Sequence, residues 1–192
     1  MARRELQLDR KLAFQAALSV VVIVAAAAVL GVLFREPLTV LGHRFVDRFG
    51  LLGMFLGTLF IDTSIVPLST DPLLLIGVSG ELPFWPMFFV TGIASVLSGP
   101  LGYACGAMLD RGTRIGPVLR RRFPRFLHLL EEHGIKAMVA AALLPIPFSA
   151  TTWSAGISRL GLGRVALVSL LRIPKTGFYL WLIAKGWEYG AG

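Results

Sequence analysis

Apolar and polar positions fall in long blocks along this chain, and the blocks themselves predict its elements. Leu12 to Phe34 carries no charged residue, and about 20 apolar residues suffice to cross a bilayer. A cleaved signal peptide is the competing reading, given the small residues Ala25–Ala28. Signal cores, however, run only about 7–15 residues, so residues 1–34 are expected to form a retained transmembrane helix. Residues 35–49 mix charge with Leu38, Leu41, Phe45 and Phe49 at helical spacing. This predicts a short amphipathic helix at the interface, with a plain solvated connector as the alternative. Two more runs, 84–109 and 165–187, are long enough to span. The first contains Gly92, Gly99, Gly102 and Gly106 for close helix contact, and Pro100 as an expected kink.

Two other apolar stretches are interrupted. In FIDTSIVPLSTDPLLLIGVSG, residues 60–80, Asp62, Pro67, Asp71 and Pro72 stand where an unbroken helix would be deepest. In AMVAAALLPIPFSATTWSAGIS, residues 137–158, Pro145 and Pro147 do the same, followed by Ser149, Thr151 and Thr152. Broken backbone at membrane depth is tolerated only where protein or water satisfies its polar groups. Both segments are therefore expected to be re-entrant hairpins, over about 50–80 and 137–160. They echo each other: an apolar run, a proline with hydroxyl residues, then Gly77-Val78-Ser79 or Gly156-Ile157-Ser158. The predicted fold is an all-α integral membrane protein. It has about three transmembrane helices plus the two broken hairpins as a pseudo-repeat, with residues 50–192 forming one membrane domain.

Composition agrees with that class. The chain is 55% hydrophobic and 16% charged over 192 residues, too apolar for an ordinary soluble domain. Its net charge of +8 flanks the apolar runs, which marks topology rather than a nucleic-acid partner. With both broken segments re-entrant, thirteen basic residues share the N-terminal, cytoplasmic side against Arg35, Arg44, Arg48 and Lys185 outside. If both segments spanned, the seven basic residues of 111–136 would move outside, against the positive-inside rule. The rule constrains the second hairpin less than the first. Cys105 has no partner for a disulfide within the chain and reads as a packing residue. High Ala, Arg and Gly content fits a bacterial inner membrane.

Candidate chemistry sits where charge meets the breaks. A carboxylate at the bilayer centre costs about 2.5–3.5 kcal/mol, and intramembrane acids are functional by default. Asp62 and Asp71 are thus expected to bind and release a proton, with helix capping as their structural alternative. Arg172 and Lys175, three apart on one helix face, could neutralise those acids or hold an anionic headgroup. Their bland alternative is snorkelling to the interface. Ser69, Thr70, Ser149, Thr151 and Thr152 are candidate substrate-lining hydroxyls that could equally satisfy freed backbone. Pro67, Pro72, Pro145 and Pro147 are the expected hairpin breakers. The arginines at 120–122 and 125 suit anionic lipid or simply fix topology. His43, His128 and His133 lack metal-ligand spacing. The sequence holds no nucleotide, hydrolase or zinc motif. No cofactor, metal or enzymatic activity is expected.

These segments resemble the DedA/VTT-domain (SNARE-associated-like) membrane protein family over about Asp47 to Tyr189. Asp62 followed by STDPLLLIGVSG is similar to that family's Pro-Gly-Asp/Glu-x-Leu-Leu element. GPLGYACGAMLDRG resembles its glycine-tyrosine element through Gly102, Tyr103, Gly106 and Gly112. The stretch from Glu131 to Val165 resembles a third element through Gly134, Pro145 and Ala155-Gly156. Two arginines that bracket the family's proline fall here on Ala142 and Phe148, as in a divergent short member. The resemblance implies two facing re-entrant hairpins and the movement of lipids or phosphorylated lipid carriers, often proton-coupled. Phospholipid or polyprenyl phosphate is the implied partner, and homo-oligomerisation stays open. Arg172 and Lys175 are the residues that would replace the missing arginine charge. A non-transporting scaffold, its glycine-rich helix packed on a partner, is the alternative function.

Overall fold

A computed structural model describes residues 35–64, 69–112, 124–143 and 148–189, with single helical positions at 22, 25, 29 and 121. Apart from positions 22, 25 and 29, the expected helix over 1–34 lies outside the described residues, as do the breakers Pro67, Pro145 and Pro147. The described chain is helical, without a strand. In order it forms α1 (Arg35–Thr63), α2 (Asp71–Ser79), α3 (Phe84–Gly112) and α4 (Pro124–His133). Then follow α5 (Ile135–Leu143), α6 (Phe148–Ile157), α7 (Leu162–Ser169) and α8 (Arg172–Tyr189).

Helix α3 is the axis on which the rest is placed. Phe84–Asp110, 27 residues, and Leu162–Tyr189, 28 residues, are long and apolar enough to cross a membrane. Helix α1 bends at Gly50, whose φ of 50° and ψ of −142° belong to a region essentially reserved for glycine. The expected amphipathic segment 35–49 is therefore one arm of a bent helix, and it is docked rather than free. Gly42 touches the backbone of Ser79 and Gly80. Ser79 Oγ donates to the Leu38 carbonyl at 3.0 Å, and the Arg35 guanidinium stands 5.8 Å from the Trp187 ring centroid.

The second arm of α1 and helix α2 form an antiparallel pair. Leu73 packs on Gly57, and Gly77 faces Met54 and Met87. Leu73, Leu74, Leu75, Met54, Met87, Leu180 and Ile183 make a core around the N-terminal half of α3. The open ends of this pair lie at the start of α3, and the last turn of α1 reaches the middle of α3, where Ser95 bonds Asp62. Pro72 occupies the first turn of α2, where its missing N–H costs nothing. It starts a helix here.

The second broken segment takes the other half of α3. Phe148 approaches Gly99, Thr152 sits on Gly102, and Trp153 backbone lies against Gly106. Gly156 in turn meets Tyr103 and Ala107. Helix α6 thus runs alongside α3 from its middle towards its C-terminal end. Helices α5, α6 and α7 close a separate core of Met138, Ala141, Ala142, Phe148, Ala155, Val165 and Val168. Three of the four glycines flagged on α3 make close contacts within the chain; a Cβ on Gly92 would meet nothing within 4 Å. The glycine face at Gly99, Gly102 and Gly106 is occupied within the chain by α6 and α7.

The last expected span is divided. A tight turn at Leu170–Leu171 separates α7 from α8, leaving Pro174 in the first turn of α8. The Leu170 carbonyl, which Pro174 cannot bond, accepts from Ile173 N at 3.1 Å instead. Across it the chain continues along α3, with Ser169 on Gly99, Arg172 on Ser95 and Gly177 on Phe88.

Candidate functional site

Asp62 is the penultimate residue of α1, Ser95 lies within α3, and Arg172 opens α8. Each belongs to a different helix, and the fold brings all three together. Arg172 Nη2 donates to Asp62 Oδ2 at 2.5 Å. Arg172 Nε donates to Ser95 Oγ at 2.6 Å, and Ser95 Oγ donates to the same Asp62 oxygen at 2.6 Å. Asp62 is 8% exposed, Arg172 7% and Ser95 1%. A charge so buried is tolerated only when paired and hydrogen-bonded, and this ring of three bonds supplies both.

The trio sits at the centre of the candidate span. The midpoint of Phe84–Asp110 is two residues from Ser95, or about 3 Å along the axis. Above and below it lie the two cores. Phe148, the first residue of α6, closes the remaining face, its ring centroid 4.6 Å from the guanidinium carbon. Nearby, the Trp153 indole N–H of α6 donates to the Thr63 carbonyl at 2.8 Å. That carbonyl belongs to the last turn of α1, which has no helical partner for it. The C-terminal end of α1 and the N-terminal part of α6 therefore meet across the middle of α3.

The other expected site residues take three kinds of position. Lys175 lies one turn along α8 from Arg172, within electrostatic reach of Asp62 and Asp71. Its ammonium is 5.9 Å from the Tyr179 ring. Asp71 begins α2, accepting from Ser69 Oγ at 2.6 Å, while its own N–H bonds that hydroxyl at 3.3 Å. Acid at a first turn also complements the helix dipole, so Asp71 has a capping-type position within reach of Lys175. Thr70 is the N-cap of α2 and makes no side-chain cap bond. Thr152 Oγ1 donates to the Ser149 carbonyl at 2.9 Å, serving the backbone just after the break. Ser149 and Thr151 are buried beside it.

Ser95 and Trp153 carry no charge and were not singled out by the sequence pattern. A signal for Ser95 exists. Thr91, Ser95 and Ser98 follow at i, i+4 and i+7 and are all buried in an otherwise apolar helix. Thr91 and Ser98 spend their hydroxyls on the carbonyls of Met87, at 2.7 Å, and Ser95, at 2.7 Å. Ser95 bonds side chains instead. No group of acidic, histidine or cysteine side chains that could hold a metal occurs among the described residues.

No curated protein and no solved structure shows detectable similarity to the chain. The profile of the VTT domain matches residues 66–185, a range that takes in α2 to α7, most of α8 and every predicted site residue except Asp62. With more than half of its length matched, and with its membrane-length helices, the chain belongs to the membrane-associated VTT domain family.

Proposed function

We propose that this protein is a transporter or translocase of lipids or phosphorylated lipid carriers, coupled to protons and without enzymatic activity. The observation that carries the reading is the buried Asp62–Ser95–Arg172 ring at mid-span, where the end of α1 and the start of α6 meet beside α3. Paired, proline-interrupted segments converging at the bilayer midplane are a pointer to a transporter's binding site. In this reading both segments are re-entrant hairpins, entering from opposite faces. The strongly basic end of α3 lies in the cytoplasm of a bacterium, as does the N-terminus.

Arg172 has five N–H donors, and among the described residues two of its nitrogens donate to protein oxygens. The rest are available to an anionic headgroup. Protonation of Asp62 removes the charge that holds the guanidinium and frees it for a phosphate oxygen. Loss of that proton rebuilds the pair and expels the anion. Lys175 supplies a second cation, and Asp71 balances it. Arg172 and Lys175 in this way provide the cationic charge absent at Ala142 and Phe148.

Transport of phospholipids and of a polyprenyl phosphate, measured in proteoliposomes under an imposed proton gradient, tests this directly. Asp62→Asn is expected to abolish gradient-driven movement, and Asp71→Asn to lower it less. Equal transport by wild type and Asp62→Asn would remove the proton role from Asp62. Folded wild-type protein that moves none of these lipids would end the transport reading and leave the scaffold.

A further inference from the structure

We propose that Phe148 is a positioning residue of the site: its ring holds the Arg172 guanidinium by cation–π attraction from the start of α6. The two groups are 3% and 7% exposed, and the guanidinium carbon is 4.6 Å from the ring centroid. Such contacts are strongest when desolvated, as here. The ring's edge lies against Gly99, within van der Waals range of a Cβ built there at 3.4 Å. Sequence separation excludes a local cause for the contact, because residues 148 and 172 belong to different helices.

The choice of an aromatic ring has a chemical consequence. A carboxylate at 148 would hold the cation more tightly, but it would consume N–H donors and neutralise the charge. A ring engages only the flat face of the guanidinium. It leaves the N–H edge and the positive charge for Asp62, Ser95 and an incoming anion. Asp62 holds Arg172 from the first broken segment and Phe148 holds it from the second. The guanidinium is thereby fixed only while the end of α1 and the start of α6 are both docked against α3. The consequence for substrate rests on the anion-binding reading above; the contact itself does not.

Fluorinated phenylalanines at position 148 separate the two. Replacing the residue with mono-, di- and trifluorinated analogues keeps its shape nearly constant while weakening the ring's negative face stepwise. The apparent unfolding temperature of the full chain in detergent is expected to fall along this series. In an Arg172→Met background the same series is expected to be flat. A flat series in the native background, or equal slopes in both, overturns the proposal. Phe148→Leu, which removes the aromatic face, should behave like the trifluorinated protein or worse. In proteoliposomes, the apparent KM for a fluorescent phosphatidylglycerol should rise roughly tenfold across the series. A flat KM beside a sloping unfolding temperature would strip Phe148 of its part in substrate binding. Absence of transport by the unmodified protein would end the transport reading, while the unfolding series would still decide the contact.

Discussion

A buried carboxylate and guanidinium stabilise a fold only in relation to each other. Removing one partner from such a pair typically costs about 3–5 kcal/mol, because the other is left charged in a poor solvent. Replacing both with apolar groups of similar volume is often neutral or favourable. Arg172→Met is therefore expected to lower the unfolding midpoint strongly, while Asp62→Leu with Arg172→Met restores it. Transport should be lost in both. A double variant that transports would show that the pair is structural, and one as unstable as the single variant would show that other bonds dominate. Asp62 and Arg172 were legible because charge in an apolar run is costly enough to mark itself. Their pairing was legible only as one alternative among three, and not which acid takes Arg172, since 110 positions separate the partners. Ser95 was obscured by being one hydroxyl among several that bond only their own helix.

At the scale of elements, glycine decides where backbones touch. A Cβ at Gly106 would overlap the backbone of Trp153, and one at Gly156 would overlap the backbone of Tyr103. Neither obstacle is a flexible side chain that can turn away. Gly106→Ala and Gly156→Ala are each expected to destabilise the folded protein by about 1–3 kcal/mol, the usual cost of overpacking. Gly92→Ala, with open space around it, should be neutral in the same thermal-unfolding measurement. A neutral Gly156→Ala would mean that α6 sits further from α3. The glycine-rich face of α3 was readable in the sequence, but the neighbour it serves was not. The asymmetry among its glycines depends on where α6 and α7 run. The turn between α7 and α8 was equally hidden. Leu170 and Leu171 are neither glycine nor proline, and the apolar run passes through them without a mark.

At the scale of the described fold, the two halves of α3 carry different neighbours. The second arm of α1 follows the first half of α3, with Met54 near Met87 through Gly77 and Asp62 on Ser95. Helix α6 follows the second half, and α8 returns past both, with Gly177 on Phe88 and Arg172 on Ser95. Residues 36 and 81 thus flank one broken segment at the start of α3. Residues 136 and 159 flank the other beyond its end. In a membrane crossed by α3, each pair should share a face, and the two faces should be opposite. Single cysteines replacing Glu36, Glu81, Lys136 and Arg159, in a Cys105→Ser background, test this with a membrane-impermeant thiol reagent on oriented vesicles. Labelling of 36 and 81 from outside, and of 136 and 159 from the cytoplasm, is the expected result. Opposite labelling of 36 and 81 would make the first segment a span. The ion pair would then lie in an ordinary helix bundle, and protonation of Asp62 would have no pair of facing turns to release.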